Sequence, residues 1–357
     1  MESSTSSSTT ESIDTPPSVP PSTSPGTTPT VELTDGAFTV FWVTDTQFLS
    51  ESNPALFKMI NNWIVDNWYR FNGKLVIHTG DLVQTGNVVQ EWINADDAMS
   101  ILVNNGIPYV WCAGNHDDLV PNDATSGWIG NINTGSLQPS LASRVVKAVP
   151  YANWVGDFHN GMNTAATFSA SGLDFLVICL EWNAQSDALE WASSILDDPT
   201  YTNYHVIMAP HAYINPFGSL DDPRWGPQLA NFVTSLETIM DAHSSNVFLT
   251  LNGHFATETG YYTPQPINGR NELMYDRQDC SDNPGDKFGR GVDNPPDSDT
   301  DKVGGSTLMV LTFHPAYNEI RAKTYDVFLG RWRSTPTEEY TVAMFPNAVP
   351  TLKVQAQ

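Results

Sequence analysis

The sequence is poor in positive charge. Its 357 residues include 16 Lys and Arg against 40 Asp and Glu, which gives a formal net charge of −24. Because Lys and Arg are the residues that bind phosphate backbones, this balance argues against a nucleic-acid polymer as a high-affinity partner. It favours a very soluble protein that works in salty surroundings or binds cations, and it carries no information about the fold.

Cysteine and long apolar runs are scarce as well. The three cysteines, Cys112, Cys179 and Cys280, form no disulfide framework. Cys112 and Cys179 lie in apolar, strand-like runs, where we expect them to behave as small buried hydrophobic residues. No apolar stretch is long enough to span a membrane. The sequence as given also shows no basic region followed by an apolar one, which is the pattern of a secretory signal.

The first 35 residues are dominated by Ser, Thr and Pro. A segment of this composition cannot bury a core, so we expect 1–35 to be a disordered linker. Linkers of this kind commonly follow a removed signal peptide. The segment therefore predicts a secreted, extracellular protein.

From Phe38 onward, strand and helix patterns alternate. "FTVFWVTD", "KLVIHTGD" and "IPYVWCAGNHD" are typical of buried strands. The first helix between them has Asn53 as its N-cap and Pro54 at its first position, and the second ends at Gly106. Strand, helix, strand, helix, strand with short links predicts a parallel, right-handed βαβαβ unit.

The remainder of the chain predicts a single α/β domain over 36–350. We expect a loop-rich insert at about 119–163, then further strands and helices, and a C-terminal part that alternates like an antiparallel sheet. The segment at about 276–303 is dense in Asp but lacks the glycine and the terminal glutamate of an EF-hand, so we interpret it as a solvated acidic loop. Two packed sheets with helices outside them account for this pattern.

Five predicted strands end in residues that can bind a metal ion, within "VTDTQ", "HTGDL", "AGNHD", "APHAY" and "NGHFA". The candidates are Asp45, Gln47, Asp81, Asn115, His211 and His254. An isolated Asp at a strand end is more commonly a turn residue or a helix cap. The carboxyl ends of several strands, however, can meet in one cleft. A set of oxygen and nitrogen donors without a thiolate suits Mn, Fe or Zn.

In order and context, these blocks resemble the calcineurin-like metallophosphoesterase superfamily, and in particular the branch whose first motif reads Asp-Thr-Gln. The likeness spans about 36–325, and the Gly-Asn-His-Asp block that follows a strand is its most specific part. The resemblance implies a four-layer αββα sandwich, in which two mixed β-sheets are flanked by helices. It also implies hydrolysis of a phosphomonoester or phosphodiester by attack of a metal-bound hydroxide at a binuclear centre.

The resemblance also implies a role for each candidate. Asp45, Gln47 and Asp81 would hold one divalent metal ion. Asp81 would bridge to a second ion, whose other ligands would be Asn115, His211 and His254. His116 would contact the phosphoryl group or protonate the leaving oxygen. Asp117 would orient the His116 imidazole.

Three positions depart from the pattern of the superfamily. Gln47 stands where many relatives have His, and an amide oxygen is a weaker donor than an imidazole nitrogen. Ala256 replaces the second His of a Gly-His-x-His block and cannot bind a metal. We therefore expect the first metal site to be weak. Gln84 occupies the place of the iron-binding Tyr of purple acid phosphatases, so we do not expect that chromophore.

Two other histidines need a separate interpretation. His78 lies inside a strand run, which favours a position in the core or behind the metal ligands over a role as a ligand. His159 lies in the insert, from which it could face the cleft.

Alternative functions stay open at this stage. A degenerate module that binds metal and phosphate with little or no turnover would explain Gln47 and Ala256. A structural cell-surface domain on a Ser/Thr/Pro stalk would explain the linker but not the ligands. For the enzyme, the charge favours a small phosphorylated substrate or a phospholipid headgroup. The sequence gives no oligomeric state.

Overall fold

The computed structural model describes residues 36–117, 152–159, 161–220, 226–255, 261–262, 266–277 and 305–346, all within one compact unit, Leu33–Gln357. The predicted linker, Ala256 and most of the predicted insert and acidic loop lie outside these residues. Among the residues described, no helix combines the length and the hydropathy needed to cross a bilayer.

The described chain contains five α-helices and fourteen β-strands. The helices are α1 (Gln47–Ser52), α2 (Pro54–Asn67), α3 (Val89–Asn104), α4 (Ser186–Leu196) and α5 (Gly226–Ala242). The first seven strands are β1 (Phe38–Val43), β2 (Gly73–His78), β3 (Tyr109–Trp111), β4 (Ala152–Phe158), β5 (Asn163–Ala170), β6 (Leu173–Leu180) and β7 (His205–Pro210). The others are β8 (Val247–Asn252), β9 (Tyr261–Tyr262), β10 (Asn271–Met274), β11 (Thr307–His314), β12 (Glu319–Asp326), β13 (Arg331–Trp332) and β14 (Glu339–Ala343).

The strands form two mixed sheets. The first sheet has the order β13-β12-β11-β1-β2-β3, with β14 also paired to β12. Its strands β1, β2 and β3 are parallel, as the βαβαβ pattern predicted, and β11 joins β1 in antiparallel orientation. The second sheet has the order β4-β5-β6-β7-β8-β10-β9, with β6, β7, β8 and β10 parallel to one another.

The structure differs from the sequence-based assignment in two strands. β10 was expected in an antiparallel C-terminal sheet, but it pairs parallel to β8, with Met274 opposite Asn252. Its carboxyl end therefore points to the same edge as that of β8. β4 lies inside the segment interpreted as a loop insert. Its register shift between Trp154 and Gly156 interrupts the alternation by which a strand is recognised.

Aromatic side chains on the two faces of β1 show how the layers stack. The Phe38 ring lies between the sheets, with its centroid 6.0 Å from that of Phe168 and 5.3 Å from that of Phe175. Phe41 points the other way and packs on Trp63 of α2, at 6.2 Å. Because apolar residues of β6–β8 form a second core with α4 and α5, helices cover both outer faces. The four-layer αββα sandwich is confirmed.

Candidate metal centre

The predicted metal ligands lie at the carboxyl ends of strands from both sheets. Asp45, Asp81 and Asn115 follow β1, β2 and β3, whereas His211 and His254 follow β7 and β8. Backbone hydrogen bonds tie the sheets together at this edge: the Trp182 N–H donates to the Ala113 carbonyl at 2.8 Å, and the Ala113 N–H donates to the Met162 carbonyl at 2.9 Å.

Three of the predicted ligands converge on a fourth, His211. Its Nε2 lies 3.0 Å from Asn115 Oδ1, 3.1 Å from His254 Nδ1 and 3.5 Å from Asp81 Oδ2. Asp81, His211 and His254 each offer a donor atom within 4.8 Å of the other two, which is the spacing of ligands around one ion. These four residues are the ones that the resemblance assigned to the second metal.

The protonation of His211 suits a metal ligand. Its Nδ1 lies 2.7 Å from the Thr79 carbonyl, which can only accept, so Nδ1 carries the proton. Nε2 therefore presents a lone pair to the oxygens of Asn115 and Asp81. Burial lowers the pKa of His211 to about 3, which keeps the imidazole neutral. Acceptor atoms that face one another in this way are stabilised by a cation, so the residues present fit a divalent metal ion.

Asp45 and Gln47 lie at the same edge. The His254 N–H lies 3.1 Å from each Asp45 carboxylate oxygen, and the Asp45 N–H donates to the Gly80 carbonyl at 3.0 Å. Gln47 is buried at the first position of α1, two residues beyond Asp45. Asp45 does not belong to the described three-residue group that has metal-ligand spacing. All three members of that group belong to the second predicted site, and Asp81 is the one that the first site shares.

The backbone at three ligands is held in the left-handed region. The φ angles are 52° at Asp45, 54° at Asp81 and 71° at His254. For residues other than glycine, each such conformation costs about 1–3 kcal/mol and persists where the surroundings impose it, commonly at functional sites.

Two glycines beside the ligands leave room for carboxylates. A Cβ at Gly114 would overlap Asp81 Oδ1 and lie 2.5 Å from the Asp81 backbone nitrogen. A Cβ at Gly253 would overlap Asp45 Oδ2. Such contacts exclude larger residues unless the ligand moves. Gly114 therefore allows Asp81 to approach from the neighbouring strand end, and Gly253 allows Asp45 to approach from the other sheet.

Backbone groups bind both Asp117 and the ring of His116. Asp117 Oδ1 accepts the N–H groups of Leu82, at 2.8 Å, and Val83, at 3.0 Å, while Oδ2 accepts that of Gly114 at 2.8 Å. Asp117 thus binds together the loops after β2 and β3. The described hydrogen bond of the His116 ring runs from Nδ1 to the Gln84 carbonyl, at 3.0 Å, so that carbonyl orients the imidazole.

Buried negative charge dominates the centre. Burial raises the pKa of Asp81 well above its usual value, and the charge of Asp276 raises it further, against the lowering effect of the His116 N–H. Burial and the neighbouring Asp81 raise the pKa of Asp117 to about 8. A bound divalent cation would reverse this tendency, because its charge stabilises the ionised carboxylates.

Trp182 contacts two of the ligands, and His78 contacts Thr46, the residue between Asp45 and Gln47. The centroid of the Trp182 ring lies 4.3 Å from that of His254 and 5.9 Å from that of His211, so the indole forms one wall of the centre. Sequence reasoning missed Trp182, although the strand β6 leads into an acid, Glu181, as β1 and β2 lead into Asp45 and Asp81. His78 is buried, and its Nε2 lies 3.0 Å from Thr46 Oγ1, which agrees with its interpretation as a residue behind the ligands.

His159 binds two acids instead of a metal ligand. Its Nδ1 lies 2.6 Å from Glu181 Oε1, and its Nε2 lies 3.1 Å from Asp187 Oδ2. The hydrogen bond to Glu181 is the largest reason why the pKa of His159 rises to about 9. Burial raises the pKa of Glu181, which the bond to His159 opposes. We assign the proton that the pair loses at alkaline pH to His159, because the raised pKa of His159 lies at about 9.

The raised pKa of His159 predicts a stability that falls with alkaline pH. A group whose pKa is higher in the folded state stabilises the fold fully below its unfolded pKa and loses that effect as pH rises through the folded value. We expect His159→Gln to lower the free energy of unfolding by on the order of 1 kcal/mol at pH 6, or Tm by about 2–4 °C. The difference in Tm between the variant and the wild type should shrink as pH rises from about 6.5 to about 9. Thermal unfolding at a series of pH values measures it.

His243 offers a matched control for this experiment. Its Nε2 lies 3.5 Å from Asp197, whose side chain is 68% exposed. Exposed ion pairs contribute little, so His243→Gln should change Tm only slightly at any pH. A difference between His159→Gln and the wild type that stays constant up to pH 10 would contradict the prediction.

Comparisons with known proteins agree with this geometry. The family model for calcineurin-like phosphoesterases matches residues 38–223, more than half of the chain. The uncharacterized protein YvnB of Bacillus subtilis (strain 168) is 32% identical over 177 residues, which is 50% of this chain but only 13% of that protein. The chain thus spans about an eighth of the curated relative that it matches.

A solved structure shares the fold. The purple acid phosphatase PPD1 from yellow lupin (Lupinus luteus) seeds has a TM-score of 0.52 at 13% identity, over 86% of this chain and 54% of that chain. GAP50, described as the anchor in the inner membrane complex of Plasmodium, has a TM-score of 0.48 at 13% identity, over 89% and 91% of the two chains. The match of the family model and the converging ligands lead to one conclusion: the chain belongs to the calcineurin-like phosphoesterase family.

Proposed function

We propose that this protein is a binuclear metallophosphoesterase that hydrolyses a small phosphorylated substrate or a phospholipid headgroup. The observation that carries the proposal is the convergence of Asp81, Asn115 and His254 on Nε2 of a neutral, buried His211. Membership of the family supports a metal-dependent phosphoesterase in general. The number of ions, the substrate and the residue roles belong to the proposal.

Each metal ion has its proposed ligands. Asp45, Gln47 and Asp81 would hold one ion, and Asp81, Asn115, His211 and His254 would hold the other. When bound, such a pair of ions would polarise phosphoryl oxygens and lower the pKa of a water molecule towards neutrality. Mn, Fe and Zn match this donor set.

The chain's own residues would position the substrate and move a proton. The Nδ1 proton of His116 binds the Gln84 carbonyl, so Nε2 is the ring nitrogen that we assign to the phosphoryl group or the leaving oxygen. The His116 N–H donates to Asp81 Oδ1 at 2.8 Å, which holds the acid and the bridging carboxylate in one unit. Asp117 fixes the loops that carry both residues.

Water is the nucleophile in this proposal. Cys112, which lies three residues before Asn115, is fully buried, and burial raises the pKa of its thiol well above the usual value. A protonated, enclosed thiol is a poor nucleophile. We therefore propose direct hydrolysis without a covalent enzyme intermediate.

Charge and composition support the remaining parts of the proposal. A net charge of −24 disfavours polymeric nucleic acid and leaves small phosphoesters as the better substrates. The Ser/Thr/Pro-rich segment at 1–35 supports an extracellular location.

A binding module that keeps one metal ion is the second candidate. One observation favours it: Gln47 offers only a neutral amide and Ala256 offers no donor, which weakens the first ligand set. Such a module would bind metal and phosphate without turnover.

One assay separates these two functions. Hydrolysis of p-nitrophenyl phosphate and of bis(p-nitrophenyl) phosphate is measured with Mn, with Zn and after dialysis against a chelator. We expect turnover of at least one compound that falls by more than about tenfold on chelation and returns when the metal is added back. Metal binding without turnover on either compound would support the binding module and contradict the enzyme.

A further inference from the structure

A chain of buried hydrogen bonds runs from Trp42, in β1, to Asp45, a predicted ligand of the first metal ion. Trp42 Nε1 donates to Thr79 Oγ1 at 3.0 Å, and Thr79 Oγ1 donates to Thr44 Oγ1 at 2.6 Å. Thr44 Oγ1 in turn donates to Asp45 Oδ2. All four side chains are buried, with exposures of 0–1%. This chain of hydrogen bonds thus joins the ends of β1 and β2 to the metal centre without contact with water.

The direction of these hydrogen bonds is fixed by chemistry. An indole N–H can only donate, so Thr79 must accept from Trp42 and use its own proton elsewhere. That proton goes to Thr44, which must then donate its proton to Asp45, and an ionised carboxylate can only accept. Every proton in this chain of hydrogen bonds therefore points towards Asp45.

We propose that Trp42, Thr79 and Thr44 form a one-way hydrogen-bond relay that orients the Asp45 carboxylate for metal binding. Thr44 and Thr79 are positioning residues in this relay, since neither touches the reacting atoms. The inference rests on the proposed function, in which Asp45 is a ligand of the first metal ion.

The surroundings of Asp45 explain why such a relay is useful. The backbone at Asp45 is left-handed, with φ 52°, so the direction of its side chain depends on contacts that hold this conformation. The relay holds the carboxylate from the first sheet, while the His254 N–H, 3.1 Å from both oxygens, holds it from the second. Gly253 admits this approach, because a Cβ there would overlap both Thr44 Oγ1 and Asp45 Oδ2.

The relay also compensates for a weak ligand set. Gln47 supplies a neutral amide to the proposed first site, so a carboxylate in a fixed orientation matters more there than in a site rich in imidazoles. Groups that orient a metal ligand commonly account for 10–100-fold in metal affinity. We expect an effect of about that size on the weaker of two metal sites.

Manganese binding by the full-length protein tests the relay. Free Mn²⁺ is measured by its electron paramagnetic resonance signal during titration, which gives the affinity of each site without any substrate. Thr44→Val, which replaces the hydroxyl with a methyl group, should weaken the weaker site by about 10–100-fold. Thr44→Ser keeps the hydroxyl and should restore most of that loss. The Mn²⁺ affinity of Thr79→Val at the weaker site should lie between those of the wild type and Thr44→Val.

Thr39 supplies the matched control. It is a fully buried threonine of the same strand, β1, and its hydroxyl lies 3.4 Å from Thr312 Oγ1, on a neighbouring strand and outside the relay. Thr39→Val should cost similar stability and leave both Mn²⁺ affinities unchanged. If Thr44→Val does not fold, Thr79→Val carries the test, since it breaks the relay one step further from the metal.

The outcomes separate the relay from the proposed function. In one outcome, the wild type binds two Mn²⁺ ions while Thr44→Val and Thr79→Val bind them with the same affinities as Thr39→Val. That result would overturn the relay and leave the proposed function standing. Wild-type protein that binds no Mn²⁺ would overturn both. A loss in Thr44→Val that Thr44→Ser restores would support the relay, because a purely structural role would depend on side-chain volume and not on the hydroxyl.

Discussion

Asp81→Asn is expected to lower phosphoester turnover by about a thousandfold or more. The variant keeps an oxygen to accept the His116 N–H, now at 2.8 Å from Asp81 Oδ1, so the loop should stay in place. It removes the charge that the proposed bridging ligand supplies to both ions. Metal ions contribute several kcal/mol to the stabilisation of such transition states, and each 1.4 kcal/mol corresponds to about tenfold in rate.

The measurement combines turnover with metal content. Turnover of p-nitrophenyl phosphate is determined at saturating Mn, and bound metal is counted by elemental analysis. Asp174→Asn is the control, because Asp174 is an exposed residue near the start of β6, away from the carboxyl ends that carry the ligands. Asp174→Asn should retain full activity and metal. An Asp81→Asn variant with more than about a tenth of wild-type turnover would contradict a role as bridging ligand.

The convergence of the ligands could be predicted because it follows from topology. A strand, helix, strand pattern forces parallel pairing, and parallel strands place their carboxyl ends on one edge. Asp45, Asp81 and Asn115 were therefore predictable neighbours from their places after β1, β2 and β3. His211 and His254 were assigned to the same centre by the resemblance, and the 3.0 Å between His211 Nε2 and Asn115 Oδ1 shows that the second sheet delivers its strand ends to the same place as the first.

The unpredicted features depend on contacts between residues far apart in the sequence. The parallel β10 was missed because the segment that connects it to β8 carries no helical pattern by which a crossover is recognised. Trp182 was missed because an aromatic residue after a strand is commonly a core residue, and its position is revealed by the contacts of its ring with His211 and His254. The partners of Asp117 are backbone N–H groups, which no side-chain pattern encodes.

His116→Ala is expected to lower turnover by about 10²–10⁴-fold. His116 is held by two hydrogen bonds: its backbone N–H donates to Asp81 Oδ1, and its ring Nδ1–H donates to the Gln84 carbonyl at 3.0 Å. This arrangement directs Nε2 away from the protein backbone that orients the ring. His243→Ala is the control, since His243 contacts the exposed Asp197 and has no described contact with a metal ligand.

The leaving group decides which of two roles His116 has. A nitrophenolate leaves without protonation, whereas an alkoxide leaves poorly unless an acid protonates it. If His116 is the general acid, His116→Ala should impair hydrolysis of an alkyl phosphate much more than that of p-nitrophenyl phosphate. If it only contacts the phosphoryl group, both substrates should lose the same factor, because the developing phosphoryl charge is common to them. Turnover within about tenfold of the wild type on both compounds would exclude both roles, and Gln84 would then orient a ring that takes no part in the chemistry.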